Sequence, residues 1–168
     1  MRANLQASAL AALALAAAGM SGCGFTPLYA TPGVTAGLSS VQVVAPAGRT
    51  GYLIREHLDD ALAKNSAVPP AYRMDLQLAE QRFPRGLRVD NVATRYEYVL
   101  TAAYSLVRLP SGVQAKRGVV RVQLTYDSAD QPYASIAAQQ DVADRAAEEA
   151  AQRIQLELAA WLATQAKG

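Results

Sequence analysis

The chain has 168 residues, 51% of them hydrophobic, and its 16 basic and 14 acidic side chains give a formal net charge of +2. This length suggests one domain with short accessory segments. The near balance of charge argues against a nucleic-acid-binding protein held by bulk electrostatic attraction, and a single cysteine excludes a disulfide within the chain.

Residues 1–22 have the pattern of a bacterial lipoprotein signal peptide. Arg2 gives a positive start, and residues 5–18 form an apolar run of about 14 residues, which fits a signal peptide and is short for a membrane-spanning helix. Met20-Ser21-Gly22-Cys23 resembles a lipobox, with Met20 where leucine is usual. We therefore predict cleavage before Cys23. Secretory cleavage after Ala18 and an uncleaved anchor are the alternatives.

A lipobox cysteine becomes the first residue of the mature protein. We expect Cys23 to carry a diacylglycerol thioether and an N-acyl chain, and we predict no cofactor beyond this covalent lipid. More than one acyl chain makes membrane anchoring stable. Gly24 follows the cysteine, where Asp marks inner-membrane retention in well-studied Gram-negative lipoproteins. By that resemblance the protein should travel to the outer membrane.

Residues 23–40 predict a lipidated N-terminus and tether, because Gly, Pro, Thr and Ala are frequent and no regular period is present. We predict that residues 41–168 form a single α+β domain. Val41–Val44 is a short strand candidate. Thr50 is positioned to cap a helix that runs through Lys64, with apolar residues at helical spacing.

Three alternating stretches follow. Residues 72–83 alternate apolar and polar side chains, and Pro84 opens a predicted loop. Residues 95–109 and 120–126 alternate again, and the short Pro110-Ser111-Gly112 connection makes them an antiparallel hairpin. A long amphipathic helix is predicted to start between Ala137 and Asp141 and to end near Gln165.

The order strand, helix, strand, strand, strand, helix predicts an α+β fold. Two amphipathic helices need one apolar sheet face, so we expect a two-layer sandwich with both helices on one face of a mixed sheet of about four strands. The opposite face carries polar side chains with small residues at its centre, which would allow another surface to approach closely.

Catalysis is not predicted. His57 is the only histidine and suits a half-buried structural position. With one histidine and one cysteine, a zinc site would need to be nearly all carboxylate. Cys23 is consumed by the lipobox, and Glu148 and Glu149 diverge on a helix because adjacent positions point about 100° apart.

Charge is unevenly distributed along the chain. Residues 73–121 carry nine basic and four acidic side chains, while residues 122–168 carry three basic and seven acidic ones. One interpretation is a pair of solvated faces, and the other is an anion-facing middle segment. The basic residues form two clusters: Arg85, Arg88 and Arg95 near one end of the hairpin, and Lys116 and Arg117 near the other.

Several stretches resemble the LptE family of lipopolysaccharide-assembly lipoproteins, in its alphaproteobacterial form. Cys23-Gly24-Phe25-Thr26-Pro27-Leu28-Tyr29 is similar to the family's CGF-x-PLY start, and residues 94–98 and 141–149 are similar to a family strand and helix. The resemblance implies a plug and folding partner of the LptD barrel, with the protein periplasm-facing or within the barrel lumen.

The resemblance also implies contact with lipopolysaccharide through basic residues, and Arg88 and Arg95 are the candidates. The second basic region of the family corresponds to residues 133–135, which have no basic side chain here. The alternative function is a periplasm-facing outer-membrane lipoprotein that binds the cell wall or regulates an envelope enzyme. A hydrolase is a third class, for which the sequence offers no credible nucleophile.

Overall fold

The structure, a computed structural model, describes residues 32–87, 93–128 and 131–166. The predicted signal peptide, Cys23 and Arg88 lie outside the described residues. The elements are α1 (Val34–Ser39), β1 (Val41–Val44), α2 (Arg49–Ala61), β2 (Tyr72–Leu87), β3 (Ala93–Arg108), β4 (Gln114–Asp127) and α3 (Pro132–Gln165).

The four strands form one mixed sheet in the order β1-β2-β3-β4. β1 is parallel to β2 through the α2 crossover, while β2, β3 and β4 are joined as antiparallel neighbours. α2 and α3 cover one sheet face, so the predicted α+β two-layer architecture is confirmed. The short α1 packs against α3 and adds a third helix to the predicted pair.

The core lies between the sheet and the helices. Alternate residues of each strand point to it, and α3 contributes a stripe rich in alanine, so the helix can approach the strands closely. Side chains with no measurable exposure include Ile54, Leu58, Met74, Leu100, Val122, Val142, Ala146, Ala150, Ile154 and Leu158. The helical stripes and strand faces predicted from the sequence meet here.

The predicted tether extends too far into the chain. Val34 and Leu38 of α1 are 0% and 3% exposed, and a Cβ on Gly37 would lie 2.9 Å from the δ carbons of Leu162 on α3. These contacts show that residues 34–40 belong to the folded domain rather than to a free linker. The helix has six residues, which is too short for a periodic pattern to stand out among glycine and threonine.

Two predicted boundaries also differ. β2 continues through Pro84, which pairs with Tyr96 of β3, because β1 pairs with β2 only as far as Asp75 and leaves the other edge of β2 open. A proline on an open edge removes no ladder hydrogen bond. α3 begins at Pro132, since proline suits the first helical turn, where its missing N–H costs nothing.

The predicted cap of α2 is wrong. The residue before the helix is Gly48, and Thr50 lies inside the first turn with 9% exposure. The helix ends at Ala61 rather than at Lys64. Because α3 starts earlier than predicted, Asp144 lies three turns into the helix, where it bonds His57.

Candidate functional site

The sheet face opposite the helices, here called the open face, is the candidate site. Strand pairing fixes its members, because residues that pair across neighbouring strands point to the same side. It is built from the odd-numbered positions of the three long strands. They are Arg73, Asp75, Gln77, Ala79, Gln81, Phe83 and Arg85 on β2, Arg95, Glu97, Val99, Thr101, Ala103 and Ser105 on β3, and Arg117, Val119, Arg121, Gln123, Thr125 and Asp127 on β4.

Small side chains line the middle of this face, as the alternation predicted. Thr101, Ala103 and Ser105 of β3 are only half-buried although β3 is a central strand. Val99 is 1% exposed and is flanked in register by Gln81 and Gln123. A strip of backbone and short side chains therefore runs along β3 from Val99 to Ser105, where a second surface can approach.

Ion pairs occupy both ends of the face. Arg73 Nε lies 3.2 Å from Asp75 Oδ2 at one end, and Arg85 Nη2 lies 2.5 Å from Glu97 Oε2 at the other. Such pairs on an exposed surface contribute about 0–1 kcal/mol to stability. Their role is to neutralise charge locally rather than to hold the fold.

Arg95, predicted as a lipopolysaccharide contact, lies at the same end as Arg85, its cross-strand partner. Its Nε donates a hydrogen bond of 2.8 Å to Asp127 Oδ1. That hydrogen bond, with the charge of Asp127, raises the pKa of Arg95. The side chain is 59% exposed, so an anion reaching Arg95 must compete with a carboxylate already in place.

Arg117 and Arg121 differ from the other arginines of the open face. Within the described ranges, neither has a carboxylate oxygen within 4.0 Å. Val119 lies between them on the same face and is 64% exposed. The alternation of β4 put Arg121 opposite the core but assigned it no role, and only the ion-pair geometry distinguishes it.

A groove of about 620 Å³ lies beside these residues. Polar side chains from three strands line it together with Ala103, Tyr104, Gly118 and Val119. The polar members are Asp75, Gln77, Ser105, Gln114 and Arg117. The groove has both donors and acceptors and is large enough to take side chains from another protein.

The helical layer carries the acidic groups. His57 Nε2 lies 2.9 Å from Asp144 Oδ1, which joins α2 to α3 and agrees with a half-buried structural role for the histidine. Glu149 pairs with Arg153, whereas Glu148 accepts from Gln152. The two glutamates do not converge, as predicted. In the described residues no cluster of three metal-ligating side chains occurs.

Two buried tyrosines donate to carboxylates. Tyr98 bonds Glu80 at 2.6 Å, and Tyr104 bonds Glu157 of α3 at 2.5 Å. Burial first, and then the bonded carboxylate, raises the pKa of each phenol above its ordinary value of 10.0. Both hydroxyls are therefore protonated at neutral pH, and they act as structural donors rather than nucleophiles.

The comparisons with known proteins point in one direction. The family model LptE, described as lipopolysaccharide-assembly, matches residues 38–158. A crystal structure from Caulobacter crescentus CB15, described as a lipoprotein, is 54% identical with a TM-score of 0.69, and the match covers 79% of this chain and 97% of that one. No curated protein matches the chain.

More distant solved structures share the fold. Rare lipoprotein B from Shewanella oneidensis is 14% identical with a TM-score of 0.55, covering 71% of this chain and 92% of that one. Lipoprotein B from Nitrosomonas europaea is 18% identical with a TM-score of 0.55, covering 72% and 82%. Among the residues described, no helix is both long and apolar enough to cross a bilayer.

Proposed function

The chain belongs to the LptE family of lipopolysaccharide-assembly proteins, and we propose that it is the lipoprotein plug and folding partner of an LptD-type outer-membrane β-barrel. The family match over residues 38–158 carries this proposal. The family is a non-enzymatic lipoprotein family, and we assign the chain no catalytic step.

The dimensions of the domain support a plug. α3 has 34 residues, which at 1.5 Å per residue is about 51 Å. β2 and β3 have 16 residues each, or about 53 Å. Both layers therefore exceed the roughly 30 Å hydrocarbon core of a bilayer, so the domain is long enough to extend through a barrel lumen.

The surface chemistry of the open face supports the same role. Barrel interiors of this class are polar, and they bring charged and hydrogen-bonding side chains toward the lumen. The open face offers exposed arginines and glutamines around a strip of small residues. Because this face is mostly polar, it can remain in water before a partner covers it.

Affinity purification of the tagged protein from its own outer membranes tests the proposal. We expect a large barrel protein to co-purify in stoichiometric amount. Recovery of the protein in abundance without a barrel protein would contradict the proposed plug role. Recovery with a cell-wall synthase or with peptidoglycan would instead support the alternative of a periplasm-facing lipoprotein.

We further propose that Cys23 anchors the protein in the outer membrane through its lipid. The Cys23→Ala variant should lose acyl labelling and leave the membrane fraction, because both depend on the thioether. Ser21→Gly, which keeps a small residue at the lipobox, is the matched control and should stay lipidated. Labelling of Cys23→Ala with acyl chains would show that the lipobox assignment is wrong.

Arg88 and Arg95 are proposed to contact the phosphates of lipopolysaccharide. Arg95→Gln should weaken retention of lipopolysaccharide by about tenfold, the effect of one charge-assisted hydrogen bond. Arg55→Gln is the control, because Arg55 is an equally exposed arginine paired with Asp59 on α2. Equal retention by the two variants would remove Arg95 from the contact.

A further inference from the structure

The charges of the open face do not balance. Its described residues include five arginines and three carboxylates, and each carboxylate is held by one arginine. The excess positive charge therefore belongs to two side chains on one strand, Arg117 and Arg121. With Val119 between them they form a row on β4, here called the Arg-Val-Arg row.

The geometry of this row is regular. The two arginines are four positions apart on an extended strand, so their Cα atoms lie about 13 Å apart. Val119 lies midway and is 64% exposed, although β-branched side chains are favoured where strands are covered. The groove lined by Arg117, Val119 and Ser105 lies beside the row.

Covering Val119 would also remove water from the two arginines. A buried guanidinium without an anionic partner costs several kcal/mol in principle, so the covering surface must bring carboxylates of its own. A second copy that docked by its open face would bring two more arginines and no unengaged carboxylate from that face. The charge pattern therefore favours a different chain.

A β-strand is the element that reproduces this spacing. Its side chains alternate, so residues i, i+2 and i+4 share one face over about 13 Å. Arg153 Nη1 of α3 already donates to the Arg121 carbonyl oxygen at 2.8 Å. Since that carbonyl has a donor, the contact is expected through side chains on the face rather than through strand addition to β4.

Resting on the proposed function, we propose that the Arg-Val-Arg row docks on one strand of the partner barrel whose lumen-facing side chains are carboxylate, apolar, carboxylate at positions i, i+2 and i+4. Arg117 and Arg121 pair with the two carboxylates, and Val119 packs on the apolar side chain. Lumen-facing positions of barrel strands alternate with lipid-facing ones, which supplies the required period.

Photo-cross-linking of the intact complex tests the contact directly. Benzoylphenylalanine replaces Val119 in the full chain, the complex is irradiated in outer membranes, and the linked peptide is sequenced. We expect a barrel strand with two acidic residues four positions apart. A link to a strand without that pattern, or to a second copy of this chain, overturns the inference.

Charge removal gives a second measurement. The complex of Arg117→Gln/Arg121→Gln should dissociate about tenfold faster in moderate salt than the unmodified complex, because interfacial ion pairs slow dissociation. Arg55→Gln/Arg145→Gln removes two exposed arginines of the helical layer, each paired four residues away, and should leave the rate unchanged. Equal rates for the two double variants contradict the inference.

These outcomes separate this inference from the proposed function. If no barrel co-purifies with the unmodified protein, the proposed function fails and this inference with it. If a barrel co-purifies but neither the cross-link nor the dissociation rate behaves as expected, the plug role stands and the docking row is wrong. Exchanging the two barrel carboxylates for lysine should be rescued by Arg117→Glu/Arg121→Glu.

Discussion

Gly118→Ala is expected to destabilise the domain strongly although alanine suits a strand better than glycine. Tyr104 of β3 reaches Glu157 on α3 by crossing over Gly118 of β4, its register partner. A Cβ at residue 118 would lie 2.5 Å from the Tyr104 ring carbon Cζ and its hydroxyl oxygen. Tyr104 is 3% exposed, so displacing its ring would disturb the packing around it.

The expected size follows from three contributions. Overpacking of a close-packed core costs about 1–3 kcal/mol. Displacing the ring also loses a hydrogen bond to a carboxylate, worth about 1.5–3 kcal/mol. Removing glycine from a strand returns about 0.5–1 kcal/mol. We expect a net loss of about 1.5–5.5 kcal/mol in the free energy of unfolding.

Urea unfolding followed by circular dichroism measures this loss. Val119→Thr, an exposed substitution on the same strand, is the control and should stay within about 0.5 kcal/mol. In a Tyr104→Ala background the clash is absent, so Gly118→Ala should become neutral or stabilising. If Gly118→Ala still destabilised the protein in that background, or if the single variant had the urea midpoint of the unmodified protein, the close approach of the ring would be refuted.

Three more outcomes test other parts of the fold. Leu38→Ala should lower the free energy of unfolding by about 2–5 kcal/mol in urea, whereas the exposed Thr35→Ala should change it little, and equal effects would return α1 to the tether. Gly51→Ala, normally favourable in a helix by about 1 kcal/mol, should destabilise α2, since its Cβ would overlap a backbone carbonyl oxygen of the preceding loop; a raised melting temperature would contradict this. The raised pKa values of Tyr98 and Tyr104 exceed those of the unfolded chain, so their stabilisation is complete below about pH 10 and is lost as pH rises through the folded pKa. The Tyr98→Phe/Tyr104→Phe variant should lose less free energy of unfolding at alkaline pH than the unmodified protein, as measured by urea titrations. An identical pH profile for the two proteins would exclude this contribution of the tyrosines.

Strand positions were largely predictable from the sequence. The period-two alternation of residues 95–109 and 120–126 reports directly which side chains are apolar, and β3 and β4 follow it. The same reasoning placed Thr101 and Ala103 on a polar face with a small centre. These features are local, because each depends only on neighbours two residues away.

Element ends were less predictable, and the misses at Pro84 and at α1 have a nonlocal cause. Pro84 remains in β2 only because no strand pairs with that edge. The helix α1 is held by contact with Leu162, which is remote in the sequence. Thr50 had the residue type of a helix cap, but the chain entered the helix at Gly48.

The candidate site shows the same division. The sequence predicted a basic middle segment with two basic clusters, and it placed Arg117 in one cluster with Lys116. Pairing with β3 turns Lys116 toward the helical side and Arg117 toward the open face, beside Val119 and Arg121. The spatial grouping follows strand alternation rather than closeness in sequence.

The sequence by itself determined the fold class and the family, since apolar periodicity and the Cys23 motif are carried by consecutive residues. Which arginines keep a carboxylate partner was decided only by tertiary structure. Arg95 reaches Asp127 across 32 positions of the chain, and Arg121 has no such partner in the described part. Ion pairs depend on distances of a few ångströms between strands, and those distances are set by the sheet register rather than by the order of residues.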